Sequence, residues 1–276
     1  DPGATRLEDS RRAASRGIFR RMDSDSLVAP QPVAARSGTR FDALLDRLGI
    51  PIVASPSGEG FVLVESEGAL ELRPPGEGER PGIRAQFPPD QKGQGGKRAH
   101  PLVRAFGSPS ALVLDLTAGL GSDAYRLAEA GHRVRAFERS PVVFALLVTG
   151  WEEACRSGRV PAQIAAKLEL VHGEAAEALA SIEEDGVGVY LDPMYPPPRR
   201  ASALPRREIQ VLRRLLGEPN DAADLLAAAR ARAARVVVKR PHHAPSLASG
   251  ASFVLESKLV RFDVYLDPRR MGTKTA

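Results

Sequence analysis

The stretch Ala111-Leu-Val-Leu-Asp-Leu-Thr-Ala-Gly-Leu-Gly-Ser-Asp123 decides the fold. Its apolar run ending in Asp115 suits a buried strand, and Gly119 and Gly121 suit a tight turn. Residues 124–130 then read as a helix, with Tyr125, Leu127 and Ala128 on its apolar face and Gly131 as its stop. A strand, a glycine turn and a helix form the opening unit of a nucleotide-binding α/β sheet, because a ligand reaches the backbone only where no Cβ intervenes. The same glycines, with Ala124, also fit the dinucleotide pattern G-x-G-x-x-A. Asp115 tilts the reading, since a carboxylate at the mouth of the first strand suits a cationic ligand and repels a pyrophosphate.

Downstream, residues 132–138 read as a second strand ending in Glu138, which lies 138 − 119 = 19 residues past the first glycine. That is close to the spacing at which an acid binds ribose hydroxyls. Residues 167–171 form a third strand, and Glu174 follows where such sheets place a side chain near an adenine. A fourth strand, 187–191, delivers Asp192-Pro-Met-Tyr-Pro196. There a carboxylate and an aromatic on a proline-stiffened turn can hold a planar base, Tyr195 by stacking and Asp192 by accepting from its exocyclic amine. Arg199, Arg200, Arg206 and Arg207 come next, as candidate phosphate contacts or as the exposed start of a helix. A fifth strand, 235–239, ends in Lys239-Arg240, and 252–256 with 261–266 read as a closing antiparallel pair. Helices are expected over 141–151, 175–180, 208–216 and 221–234, with Trp151 in the core. Five strands alternating with helices and closed by a hairpin match a class I methyltransferase rather than a dehydrogenase. A cationic cofactor such as S-adenosylmethionine is then expected.

Upstream, residues 1–38 carry Asp, Arg, Ser, Pro and Ala without periodicity, so a disordered leader is expected. Residues 39–107 read as a small α+β appendage, with a helix over 41–48 and strands over 61–65, 69–73 and 83–87. A glycine-rich loop at 91–100 carries Lys97 and Arg98, and is either a phosphate-holding loop or a plain linker. A short helix over 101–106 leads into the methyltransferase domain at 108–276.

Composition bounds the rest. The 276 residues are 43% hydrophobic and 26% charged, consistent with one large domain and a small addition. The net charge of +5 fits a nucleic-acid partner, or a GC-rich genome writing Arg for Lys, as 33 Arg stand beside six Lys. A single cysteine, Cys155, excludes an internal disulfide and a Cys-cluster metal site, and no metal is expected. No apolar run of membrane-spanning length and no secretory h-region is seen, so a cytoplasmic protein with no membrane partner is expected.

Asp115-Leu-Thr-Ala-Gly-Leu-Gly-Ser-Asp123, Phe137-Glu-Arg-Ser-Pro-Val-Val143, Tyr190-Leu-Asp-Pro-Met-Tyr-Pro196 and Val236-Val-Val-Lys-Arg-Pro241, in this order, resemble the bacterial 16S ribosomal RNA (guanine-N2)-methyltransferase J family. The resemblance runs over roughly residues 40–266. It implies an α/β enzyme of class I, with a Rossmann-like seven-stranded sheet, that uses S-adenosylmethionine to methylate the exocyclic amine of a guanine in 16S ribosomal RNA or the small subunit. It places cofactor contacts at Ser122, Asp123, Glu138, Arg139, Glu174, Ala175 and Asp192, beside Asp115, Gly119 and Gly121 from the turn itself. Lys97, Arg98, Arg199, Arg200, Lys239 and Arg240 are the candidate RNA contacts, and Asp192 and Tyr195 the candidate catalytic pair. The enzyme is expected to act as a monomer. Three other readings remain: a nicotinamide-dependent oxidoreductase, an adenine-N6 methyltransferase, and a non-catalytic ribosome-assembly protein that binds RNA.

Overall fold

The computed structural model describes residues 33–56, 59–78, 80–89, 99–109, 112–194, 206–217, 221–242 and 244–270. The chain opens with β1 (Val33–Arg36), α1 (Asp42–Arg47), β2 (Ile52–Val53), β3 (Phe61–Ser66) and β4 (Ala69–Arg73). These strands form a sheet in the order β2-β1-β3-β4, with β1 parallel to both neighbours and β3 antiparallel to β4. The leader expected over 1–38 is therefore corrected at its end, because Val33–Arg36 is a strand. Its short VAAR sequence carries no alternation and gains its partners from β2 and from the more distant β3. The strand expected at 83–87 shrinks to a single bridge between Leu72 and Ile83.

Next come α2 (Pro101–Phe106), β5 (Leu112–Asp115), α3 (Ser122–Glu129), β6 (Arg133–Glu138), α4 (Pro141–Arg156), α5 (Ala162–Ala165) and β7 (Leu168–His172). They are followed by α6 (Ala175–Ala180), β8 (Gly188–Leu191), α7 (Arg207–Leu216), α8 (Ala222–Arg232), β9 (Arg235–Pro241), β10 (Phe253–Glu256) and β11 (Val260–Leu266). The seven-stranded sheet runs β10-β11-β9-β8-β5-β6-β7, with β11 antiparallel to both β9 and β10 and the pairs from β9 to β7 parallel. Helices cover both faces, so the centre of the sheet is apolar, and all four residues of β8 are buried. The strand order reverses beside β5, and at such a switch point the carboxyl ends of the strands open a crevice.

Helix α4 joins the two sheets. It is apolar almost all round because it is covered on two sides. Val142, Val143, Ala145 and Leu146 pack with Phe61, Leu63, Leu70 and Leu72 of the first sheet, and with Val211, Leu212 and Leu215 of α7. Phe144, Leu147 and Ala154 face the second sheet. The appendage is thus packed on the larger unit. Its trailing segment sends Phe87 into the main core against Tyr125 and Trp151, at ring separations of 5.8 and 5.1 Å. Thr149, fully buried, accepts the Leu70 N–H at 3.1 Å and donates to the Ala145 carbonyl at 2.7 Å. Thr149→Val keeps the shape but strands the Leu70 N–H without its acceptor. It should cost about 1–3 kcal/mol in denaturant unfolding, and Thr149→Ser should recover most of that. Equal stability of the Val variant would show that this bond does not hold the two sheets together.

Candidate active site

Glycine geometry builds the site first. Gly121 has φ +81° and Gly119 φ +55°, both in the left-handed region, so the chain can turn sharply from β5 into α3. The two glycines do different work. A Cβ at Gly121 would lie 2.6 Å from Leu147 Cδ1 and 2.8 Å from Phe87 Cζ, so this glycine is needed for packing. A Cβ at Gly119 would have only the Thr117 carbonyl, at 4.0 Å, within reach. Among the described residues Gly119 therefore faces open space.

Two acids hold this turn. Glu138, at the end of β6, accepts the Gly119 N–H on Oε2 at 2.9 Å and the Ser140 N–H on Oε1 at 2.8 Å. It is 8% exposed, and burial raises its pKa against those two hydrogen bonds. A carboxylate offers about four acceptor sites, so Glu138 can brace the turn and still accept from a ribose hydroxyl. Asp115 lies deeper. Its Oδ1 accepts the Thr117 N–H at 3.0 Å, and the residue is 1% exposed. Burial, reinforced by the neighbouring charges of Asp123, Asp192 and Glu138, pushes its pKa up to about 8 despite the Thr117 bond. The carboxylate expected at the strand mouth is thus a neutral buried acid in the free protein at pH 7, bonded to the turn.

This has a measurable consequence. With a folded pKa near 8 and an unfolded value near 3.9, the native state holds a proton that the unfolded chain releases in between. Stability should then fall as pH rises from about 4 towards 8, by at most about 1.4 kcal/mol per pH unit from this one group. Asp115→Asn should flatten that dependence. If thermal unfolding of the variant and the wild type follow the same pH curve, Asp115 is not the titrating group.

The second half of the site is a polar network that joins the ends of β8 and β9 to the start of α3. Lys239 Nζ, near the end of β9, lies 2.8 Å from Asp123 Oδ2 and 2.8 Å from Asp192 Oδ2. The Tyr190 hydroxyl donates to the same Asp123 oxygen at 2.7 Å, and Arg126 Nη1 to Asp123 Oδ1 at 2.8 Å. Burial would raise the Asp123 pKa, but Lys239, Tyr190 and Arg126 together hold it at about 2. Burial would also lower the Lys239 pKa, yet the flanking carboxylates raise it, so the ammonium is fixed. Asp192 is raised by burial and by the Asp123 charge, which outweigh the pull of Lys239. Its backbone N–H donates to Thr117 Oγ1 at 2.7 Å, tying the end of β8 to the glycine turn, and its side chain is 35% exposed.

The other predicted residues fall as follows. Ser122 begins α3 exposed, and Arg139 is an exposed cation paired with Asp221 at 2.7 Å. Glu174, exposed, stands at the N-terminal boundary of α6 ahead of Ala175 without a side-chain capping bond, and the Gly173 N–H reaches the Glu138 carbonyl at 3.2 Å. The cofactor candidates therefore gather at the carboxyl edge of β5, β6, β7 and β8. Asp123 is the departure, because its oxygens serve the network. Two predicted RNA contacts are corrected: Lys239 bridges carboxylates, and Arg240 is 4% exposed with Nη2 donating to the Pro245 carbonyl. Arg207 likewise pairs with Glu77 and the Pro81 carbonyl of the appendage. Lys97, Arg98, Tyr195, Arg199 and Arg200 lie outside the described residues. Thr117 and Tyr190 were missed, although a tyrosine in an apolar buried strand signals that its hydroxyl needs a partner.

A cationic sulfonium nucleoside fits these residues. Gly119 leaves open space at the turn, Glu138 has acceptor capacity beside it, and the acids Glu138 and Asp192 line the edge where a pyrophosphate would meet like charge. Among the described residues no group of three or more His, Cys, Asp or Glu could hold a metal ion, and no helix is long and apolar enough to cross a membrane.

Comparison with known proteins agrees with this geometry. The sequence profile of the SAM-dependent methyltransferase family matches residues 44–267. A ribosomal RNA small subunit methyltransferase J from Shewanella sp. (strain MR-4) is 38% identical over 248 residues, spanning 87% of this chain and 95% of its own. The protein of that name from Chromobacterium violaceum is 35% identical over 257 residues, 89% of this chain and 97% of its own. The crystal structure of a SAM-dependent methyltransferase from Neisseria gonorrhoeae superposes with a TM-score of 0.62 at 30% identity, covering 88% of this chain and 98% of that one. Sheet order, glycine turn and these relatives agree: the chain belongs to the S-adenosylmethionine-dependent methyltransferase family that contains the ribosomal RNA small subunit methyltransferase J proteins.

Proposed function

We propose that this chain transfers a methyl group from S-adenosylmethionine to the exocyclic N2 of a guanine in 16S ribosomal RNA. The observation that carries the reading is the placement of Asp192. It is a carboxylate at the open edge of the sheet, tied to the glycine turn through Thr117 and partnered by Lys239. The names of the relatives support the small-subunit RNA, and the Asp192-Pro-Met-Tyr195 stretch supports an amine on a planar base.

S-adenosylmethionine, when bound, supplies a methyl group made electrophilic by its sulfonium. The residues of this chain then have two tasks. Glu138 and the Gly119 turn hold the nucleoside. Asp192 meets the acceptor amine, a poor nucleophile because its lone pair is delocalised into the ring. A hydrogen bond from that amine to Asp192 orients the nitrogen and stabilises the charge that grows on it during attack. Prior deprotonation is unnecessary, since the amine becomes acidic only as the new bond forms. Tyr195 offers the stacking face, and the base must be unpaired or flipped to enter. Lys97, Arg98, Arg199 and Arg200 are proposed to meet phosphates. A ribosomal acceptor places the reaction in the cytoplasm, where we propose that a monomer acts.

Purified protein, labelled S-adenosylmethionine and ribosomal RNA from a strain lacking the gene test this, with the products digested and identified by mass spectrometry. N2-methylguanosine in 16S RNA is the expected product. N6-methyladenosine would move the assignment to the adenine reading, and no labelled nucleoside from free RNA or small subunits would leave a non-catalytic RNA-binding role.

A further inference from the structure

We infer that Lys239 is a positioning residue for Asp192: clamped by Asp123, its ammonium keeps the Asp192 carboxylate ionised and aimed at the acceptor amine. The inference rests on the methyl-transfer reading above and extends it to a residue that the sequence placed on the RNA backbone.

The geometry is specific. Asp123 is held on both oxygens, by Lys239 and Tyr190 on Oδ2 and by Arg126 on Oδ1. It is 14% exposed at the side chain, whereas Asp192 is 35% exposed. Of the two carboxylates that Lys239 touches, one is therefore an anchor locked in protein and the other faces the crevice. A lysine meant for phosphate would point outward with its charge unspent. This one is three-quarters covered and divides its donors between two acids at equal distance.

A cation is needed there because the surroundings are acidic. Asp115 from β5, Asp123 from α3 and the Tyr190 hydroxyl from β8 all face Asp192 or its partner, against Lys239 from β9 and Arg126 from α3. His100, which precedes α2, also feels Asp123, Arg126 and Lys239, and is held neutral by burial with its pKa near 4. Burial and like charge push Asp192 towards its protonated form, and Lys239 opposes them. A protonated Asp192 has given up the lone pair that receives the amine. In the step itself the guanine nitrogen bonds to the methyl carbon and the carbon–sulfur bond breaks, its electron pair staying on sulfur. The surplus proton on nitrogen passes to the Asp192 carboxylate and then to water.

The test is the pH profile of single-turnover methylation under saturating cofactor, for wild type, Lys239→Met and Lys239→Arg. Asp192 must be ionised, so the rate falls as pH drops through its pKa. Removing the cation raises that pKa. The acidic limb of Lys239→Met should move to higher pH by about one to three units, each unit costing tenfold in rate below the limb. Lys239→Arg, which keeps the charge, should bring the limb most of the way back. The KM for RNA and its salt slope should be unchanged. A rate loss with no shift of the limb would make Lys239 a scaffold residue only, and a raised RNA KM with a shallower salt slope would return it to the phosphates. Either would overturn the inference. Carboxyl-carbon NMR titration of the folded protein, with Asp192 assigned from Asp192→Asn, reads the same pKa without any RNA. It therefore separates failure of this inference, an Asp192 pKa indifferent to Lys239→Arg and Lys239→Met, from failure of the methyl-acceptor assignment.

Discussion

Asp192→Ala is expected to lower the methylation rate by about 10²–10³-fold, the usual cost of removing one preorganised hydrogen-bonding group from a site of developing charge. RNA affinity should change little, because phosphate contacts dominate it and carry no information about the reacting base. Asp192 also stands beside the glycine turn, so its loss can act through the cofactor. Calorimetry with S-adenosylmethionine on the same variant separates the two, and the rate is compared at saturation. The backbone N–H of residue 192 still reaches Thr117 Oγ1 in the variant, so the turn keeps its tie to β8. A variant that methylates at near wild-type rate with both substrates saturating would remove Asp192 from the acceptor site.

The second large effect separates the paired glycines. Gly121→Ala should destabilise the fold by about 2–5 kcal/mol, combining the left-handed backbone penalty with overpacking. Its Cβ would press on Leu147 and on Phe87, an aromatic that itself packs on Tyr125 and Trp151. Gly119→Ala meets no such wall, so its stability cost should be only the backbone penalty of about 1–2 kcal/mol. Its methyl group would fill the space beside Glu138, and cofactor affinity should fall at least tenfold. Unfolding curves and cofactor titrations on both variants check this crossed pattern. Equal losses of stability would show that the two positions are not distinguished by packing.

The sequence alone determined the main sheet, its glycine turn and the acids along its edge. Those signals are local: an apolar run, a Gly-x-Gly turn and an acid at a strand end occupy a few consecutive residues. The resemblance of four such blocks to one family supplied the cofactor and the class of acceptor, and the family match carries that assignment. Only the tertiary structure decided what the polar residues do. Lys239, Arg240 and Arg207 read as basic surface in the sequence, because a cation in a string carries no sign of whether a carboxylate 116, 47 or 130 residues away will meet it. Asp123 and Tyr190 are joined across 67 residues, and Thr149 reaches Leu70 across 79. β1 was invisible for the same reason, since VAAR becomes a strand when β2 and β3 lie on either side of it. Periodicity reports which face a segment buries; what that face meets, and therefore which charges are neutralised and which remain for chemistry, is settled by contacts between parts of the chain far apart in sequence.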